Sequence, residues 1–326
     1  MKKNLYNKTV LFIAPVFYNY EKAIIRQIES EGASVLFYPE REDGLLYKFV
    51  SNFTKGKLVN FQHKYYFEIF EKIKKEKIDY LFVIRGFLMP LNFIERIRIQ
   101  FPDIVLIMHQ WDSMCNNNYE RYLDKFDKFF SFDPEDCNKY PVLKYLPNFY
   151  LPEYINLINH EPVYDMSFIG WAYSSRINFI KKIAEQLPGF NFFNYLYMPF
   201  SAYVKNIIRG IFLKPVKFKI LSKEKVVSIV NQSKSILDIP DDKQSGYTFR
   251  TIDAMITRKK LVTTNTFIKK EKFYNENNIL IIDKFKPEID KQFFNKPFVV
   301  LNLDEYSLPS WVKTIFSNND LNPINA

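Results

Sequence analysis

One polar run in this chain has the residue types and spacing of an anion-binding turn. Asp241-Asp242-Lys243-Gln244-Ser245-Gly246-Tyr247-Thr248-Phe249-Arg250 is followed by Thr251-Ile252-Asp253-Ala254-Met255, between the apolar runs Ser235–Ile239 and Lys260–Asn265. The order reads as strand, polar turn, short helix, strand. The first backbone N–H groups of a helix have no partner inside it, so they point at whatever lies above the preceding turn. Hydroxyls at Ser245 and Thr248 add donors, and Arg250 adds a fork suited to phosphate. The same residues also describe an ordinary βαβ unit with a solvated loop.

Other residues offer further chemistry. Asp112, in Trp111-Asp112-Ser113 after the apolar run Ile104–Met108, would stand at a strand end. There a carboxylate can deprotonate a hydroxyl, although an Asp that starts a turn or caps a helix is the commoner case. Glu40-Arg41-Glu42-Asp43 is a second source of a base, or simply a charged loop. Arg85-Gly86 ends another apolar run; Gly86 permits close backbone approach and Arg85 can reach a phosphate. Gly170 is followed by Ser174, Ser175 and Arg176, where either serine also serves as an N-cap. Asp253 falls one helical turn after Arg250, a spacing that equally gives a surface ion pair.

Taken together, the run from Ser235 to Asn265 resembles the nucleotide-sugar half of GT-B glycosyltransferases, of the bacterial capsule and lipopolysaccharide biosynthesis type. The matching pattern is a strand, a polar turn with Gly246, Thr248-x-Arg250-x-x-Asp253-Ala254-Met255, then Lys260-Leu261-Val262-Thr263-Thr264-Asn265. Tyr164–Gly170 with Ser174-Ser175-Arg176 resembles the entry strand and first loop of that half, and Ile107–Ser113 a strand end of the other half. The resemblance implies two Rossmann-like α/β domains facing a cleft, with the donor diphosphate and ribose held by the 236–265 segment. On that reading Gly170, Ser174, Arg176, Gln244, Ser245, Gly246, Thr248, Arg250 and Asp253 bind the donor, and Asp253 takes the ribose hydroxyls. Asp112 and Arg250 are the catalytic residues. One departure matters: many retaining enzymes of this fold carry two glutamates eight positions apart, and here Ser245 stands where the first would fall. Retaining chemistry is therefore not carried over.

Composition narrows the field. Lys and Arg exceed Asp and Glu, 46 to 36, for a net charge of +10, which favours polyanionic partners: nucleotide phosphates, anionic lipid or nucleic acid. The basic residues are spread along the chain, so no nucleic-acid-binding arm stands out and none is expected. Cys115 and Cys137 do not make a disulfide framework. His63, His109 and His160 are scattered and no Asp-x-Asp occurs, so neither a metal nor a cofactor is expected beyond the nucleotide-sugar donor. No Gly-x-Gly-x-x-Gly or P-loop is present, which argues against a dinucleotide dehydrogenase or a P-loop kinase. The apolar run Val10–Ala14 leads into Tyr18–Lys22 without a cleavage site, and reads as a first strand. No apolar stretch reaches the roughly 18–20 residues of a membrane span.

The elements that must position these residues alternate. Strands are expected at Val10–Ala14, Ser34–Tyr38, Tyr80–Ile84, Ile104–Met108 and Phe126–Ser131, with helices at Tyr20–Glu31, Phe61–Lys77 and Leu91–Gln100. A second series has strands at Asp165–Gly170, Asn191–Tyr195, Ser235–Ile239, Lys260–Asn265 and Asn278–Asp283, helices at Arg176–Gln186 and Ser222–Gln232, and an irregular basic stretch through Lys219. Such alternation implies parallel, doubly wound sheets, with ligands beyond the carboxyl ends of the strands. The expected domains are 1–155 on the acceptor side and 163–285 on the nucleotide-sugar side, with 286–326 returning to the first.

The function expected is a metal-independent, cytoplasmic glycosyltransferase. It would move a sugar from a nucleotide donor, a UDP-sugar as first choice, to a surface polysaccharide or lipid-linked glycan, in peripheral contact with the anionic inner face of the membrane. The competing class is a non-catalytic GT-B-like or basic α/β module that binds a nucleotide or nucleic acid.

Overall fold

The computed structural model describes residues 5–41, 55–155, 157 and 161–317, with the backbone alone at 55–57. The chain divides into two compact units, 1–147 with 308–326, and 148–307.

The first unit is a parallel six-stranded sheet in the order β2-β1-β3-β4-β5-β6. Its strands are β1 (Thr9–Ala14), β2 (Ser34–Pro39), β3 (Tyr80–Ile84), β4 (Val105–Gln110), β5 (Lys128–Ser131) and β6 (Lys144–Tyr145). Central strands are buried on both faces, hence the unbroken apolar runs Val10–Ala14 and Leu81–Ile84. On one face, Leu11, Leu81, Val83 and Leu106 pack with α2 (Lys55–Ile73) and α3 (Leu91–Gln100) through Ile69, Ile73, Phe93 and Ile97. On the other lie α1 (Tyr20–Ser30) and, after the second unit, α9 (Leu308–Ile315). The ring of Phe82 meets Trp311 at 6.0 Å and Phe316 at 5.6 Å. Lys128 is buried in β5, and its ammonium donates to the carbonyls of Ile315 and Ser317 at the end of α9. That placement satisfies orphan carbonyls and the negative end of the helix dipole together. The short α4 (Pro134–Lys139) is capped by Asp133, which accepts from Glu135 N and Asp136 N.

The second unit is a parallel five-stranded sheet in the order β11-β10-β9-β7-β8. Its elements are β7 (Tyr164–Trp171), α5 (Ser174–Gln186), β8 (Phe192–Tyr197), α6 (Phe200–Ile208), α7 (Lys223–Asn231), β9 (Ser233–Asp238), α8 (Phe249–Ile256), β10 (Lys260–Thr263) and β11 (Ile279–Ile281). Met166, Phe168, Leu196, Leu237 and Val262 of the sheet pack with Phe179, Ile180 and Ile183 of α5. α6 lies inside the basic stretch that the sequence pattern leaves irregular, and buries none of its side chains.

Each sheet reverses its winding once. In the first unit β1 pairs with β2 on one side and β3 on the other; in the second, β7 pairs with β8 and β9. The loops after the two strands of such a pair diverge and leave a crevice at the carboxyl ends.

Candidate functional site

In the second unit the crevice opens between the ends of β7 and β9. Arg176, in the first turn of α5, spans it: Nη1 donates to Trp171 O at 3.0 Å and Nη2 to Ile239 O. Its guanidinium lies over the rings of Phe168, at 5.7 Å, and Tyr173, at 5.3 Å. Burial lowers its pKa, opposed by Asp238, Tyr173, Asp241 and Asp242. Gly170 makes room for this arrangement, since a Cβ there would come within 2.6 Å of the Phe168 ring and 3.5 Å of Arg176 Nη1. Arg176 thus joins the two strand ends, a structural task beyond the phosphate contact its sequence position suggests.

Above it is a cavity of about 590 Å³, within the range of small-ligand sites. Tyr173, Ser174, Ser175 and Lys182 form one wall, Pro240, Asp241 and Asp242 another, and Lys284 and Phe285 a third. No side chain caps α5: Tyr173 occupies the N-cap in extended conformation, without a cap hydrogen bond. The positive end of a 13-residue helix therefore borders the cavity. Lys284 pairs with Asp242 at the rim.

The start of α8 is different. Thr248 caps the helix, accepting from Arg250 N at 3.1 Å and donating to Asp238 Oδ2 at 3.0 Å. Thr251 Oγ1 donates to the same oxygen at 3.1 Å. Asp238 is buried at the end of β9, and burial raises its pKa against the pull of both hydroxyls. Sequence reasoning passed over this carboxylate, although an Asp inside Ser-Ile-Leu-Asp-Ile followed by two threonines was a usable signal. Ser245 and Gly246 are buried and Gln244 half-buried; Asn265 Nδ2 donates to Ser245 O at 3.0 Å. Tyr247 and Asn148 exchange hydrogen bonds of 2.7 and 2.9 Å.

Asp253 is not the surface partner of Arg250 that the spacing allows. The two are 4.0 Å apart, but the carboxylate is buried and also accepts from Tyr154. Burial pushes its pKa up to about 7, against Arg250 and Tyr154. Of the nine expected donor residues, Ser174 and Arg176 line the cavity; Gln244, Ser245, Gly246, Thr248, Arg250 and Asp253 do not, and Gly170 lies in β7 beneath it.

In the first unit, the candidate base Asp112 follows β4 and is half-buried, with Arg85 Nη1 at 3.4 Å from its Oδ2. Arg85 forks mainly onto Glu40: Nε donates to Oε2 at 3.0 Å and Nη2 to Oε1. Glu40 is fully buried and also accepts from Phe87 N, so it is not exposed to a substrate hydroxyl as an alternative base would need to be. Glu42 and Asp43 lie outside the described residues.

The backbone that aims Arg85 is strained. Arg85 has φ 67° and Gly86 φ 65°, and Gly86 N closes a three-residue turn on Ile84 O at 2.8 Å. Gln110 and Asn117 hold the turn by donating to Arg85 O at 3.1 and 3.2 Å. A Cβ on Gly86 would stand 2.9 Å from Met108 Cε, so both conformation and space require glycine. His109, next in β4, is buried against Trp311 at 4.9 Å and pairs with Leu146 O at 2.9 Å; burial depresses its pKa to about 3. It is a neutral core residue.

Among the described residues, no group of three or more His, Cys, Asp or Glu could hold a metal, Cys115 and Cys137 are free thiols, and no helix is long and apolar enough to cross a membrane. His160 lies outside the described residues.

No protein-family model matches the sequence, and no curated protein is significantly similar to it. Solved structures are similar in fold. The N-terminal domain of Candida albicans trehalose-6-phosphate phosphatase superposes with a TM-score of 0.52 at 10% identity, over 96% of this chain and 94% of that one. AviGT4, a glycosyltransferase involved in avilamycin A biosynthesis, gives 0.51 at 9% identity, over 95% and 93%. The UDP-GlcNAc 2-epimerase of Methanocaldococcus jannaschii, solved with UDP-GlcNAc and UDP, gives 0.50 at 13% identity, over 98% and 96%.

The fold is GT-B. The GT-B chain described here shares with these structures an architecture of two Rossmann-like units, and its chemistry has to be argued from its own residues.

Proposed function

We propose that this GT-B chain is a nucleotide-sugar-dependent glycosyltransferase whose second unit holds the donor, a UDP-sugar as first choice. The observation that carries the reading is the cavity at the β7/β9 crevice, bordered by the uncapped start of α5. A diphosphate there meets first-turn N–H groups, the hydroxyls of Ser174 and Ser175, and the ammonium of Lys182. Asp241 and Asp242 supply acceptors for sugar hydroxyls, and Tyr173 and Phe285 supply ring faces for a base. Arg250, at the start of α8, adds positive charge for the leaving diphosphate, whereas Asp253, Ser245 and Gly246 are buried and support the turn from behind. Helix dipoles and basic side chains can stabilise that leaving group without a metal.

In this reading Asp112 is the base that deprotonates the acceptor hydroxyl, oriented by Arg85. The acceptor is a bacterial surface polysaccharide or lipid-linked glycan, and the enzyme is cytoplasmic. Two observations support a nucleotide-sugar donor: the 236–265 motif, and the UDP-GlcNAc and UDP bound by the Methanocaldococcus jannaschii epimerase of like fold.

The test is a thermal-shift screen against UDP, GDP, CMP and their sugars, followed by product analysis. A rise in melting temperature with UDP and UDP-sugars, with slow release of UDP, is the expected result. Conversion of the sugar without UDP release would make the chain an epimerase. Binding without turnover would make it a non-catalytic nucleotide module, and no shift with any nucleotide would overturn the reading. In the active enzyme Asp112→Asn should cut turnover by about 10²–10⁴-fold and leave UDP affinity unchanged.

A further inference from the structure

One surface of the second unit has no place in the donor reading. α6 presents Phe200, Val204, Ile207 and Ile208 along one side, the i, i+4, i+7, i+8 spacing of an apolar stripe. In a globular helix that stripe faces the core. Here it faces outward: Phe200 is 63% and Ile208 79% exposed, and none of the helix's residues is buried. The helix ends in a tight turn, with Gly210 N donating to Ile207 O and Ile211 N to Asn206 O at 2.8 Å each. That turn extends the stripe with Ile211 and with Phe212, which is 72% exposed.

The segment is fixed in place. Leu213 is buried, Tyr203 packs on Phe218 at 5.1 Å, and Lys217 bonds to the backbone of β8 on both sides, N to Leu196 O at 2.8 Å and O from Met198 N at 3.0 Å. Tyr195 Oη donates to Lys219 O at 2.7 Å. The apolar side chains are thus held in water by a folded support, which a monomeric surface rarely does over a contiguous patch.

The charge around the patch identifies its occupant. Lys205, Arg209, Lys214, Lys217 and Lys219 are all exposed, and no Asp or Glu occurs between Glu185 and Glu224. A second copy of the chain, paired through the same patch, would bring these cations against their equivalents. An apolar stripe flanked by lysine and arginine is instead the composition of a helix lying in the interface of a negatively charged bilayer, its rings and branched chains among the acyl chains and its cations at the headgroups.

We propose that the 200–219 surface docks the protein onto an anionic lipid bilayer, as a peripheral contact independent of the donor site. The test is flotation of the full chain with vesicles of phosphatidylcholine alone, or with about a third phosphatidylglycerol. Binding to the anionic vesicles only, weakened by high salt, is expected. Ile208→Glu with Phe212→Glu, and separately Lys205→Glu with Arg209→Glu, should each weaken it at least about tenfold. Both pairs are exposed, so melting temperature and UDP affinity should stay at the wild-type values. Wild-type flotation in both double variants, or no preference for anionic vesicles, would overturn the proposal. So would a concentration-dependent dimer that the variants abolish, because it would make the patch an interface between copies.

Discussion

Two helix starts in the second unit, α5 and α8, both read from sequence as donor-binding, are built differently. α8 has the conspicuous motif, Thr248-x-Arg250-x-x-Asp253, yet its start is tied inward: Thr248 caps it, and Asp238 beneath accepts from Thr248 and Thr251. α5 has no cap, and its first turn borders a cavity of about 590 Å³. A helix start that satisfies its own donors contributes stability. One that leaves them open contributes a binding site, at some expense to stability.

If α8 is tied down as described, its anchor matters most to folding. Asp238→Ala strands the buried Thr251 hydroxyl and the half-buried Thr248 hydroxyl and should lower stability by about 2 kcal/mol, read by urea unfolding. Stability within about 0.5 kcal/mol of wild type would show that the tie is incidental.

Asp253 supplies a pH signature on the same helix. Its carboxyl is pushed up to about 7 in the folded state, against an ordinary unfolded value near 4. The folded protein therefore binds the proton more tightly. This group's contribution to stability is complete below about pH 4, is lost as pH rises to about 7, and is flat above. Asp136 and Asp238 are raised by burial too and add slope of the same sign, so the comparison must be with Asp253→Asn. Between about pH 5 and 8 the variant should lose less stability than the wild type, by on the order of 2 kcal/mol. Parallel melting curves across that range would remove Asp253 as a buried titrating group.

Arg250→Ala sharpens the division further. It removes a cation from the proposed leaving-group side and leaves Asp253 buried with less compensation. UDP affinity should fall about ten- to a hundredfold, together with the melting temperature. A fall in melting temperature alone would make α8 purely structural.

The smallest effect is expected from Ser174→Pro. Ser174 is the first residue of α5, where proline is tolerated, and Tyr173 before it already has the extended φ −115°, ψ 150° that precedes proline comfortably. The backbone N–H and the hydroxyl of Ser174 are lost together. Melting temperature should hold while UDP affinity drops about fivefold; unchanged affinity would take both Ser174 donors out of the site.

Much of the architecture was legible, for identifiable reasons. Tyr80–Ile84 and Leu91–Gln100 agree with the sequence reading to the residue, because an unbroken apolar run and a 3.6-residue stripe are strong signals when both are buried. α6 escaped because its stripe is not buried: among lysines, exposed Phe200, Ile207 and Ile208 look like an irregular basic stretch. β6 is two residues long and carries no periodicity.

At the candidate site, residue types could be read but not partners. Arg176 was legible as a cation at a helix start, whereas its bond to Ile239 O, 63 positions away, was not. Arg85 was legible as a charge at a strand mouth, but its fork onto buried Glu40 depends on a left-handed turn that a non-glycine residue rarely adopts.

The most direct measurement is a calorimetric titration of UDP into the wild type and Ser175→Asp, with melting temperatures for both. Ser175 is exposed in the first turn of α5 and lines the cavity. A carboxylate there favours the helix through its dipole and repels a diphosphate in the cavity. The prediction is an equal or higher melting temperature with UDP binding at least about tenfold weaker. Wild-type UDP affinity in the folded variant would contradict the account, by showing that the nucleotide does not occupy the crevice at the start of α5.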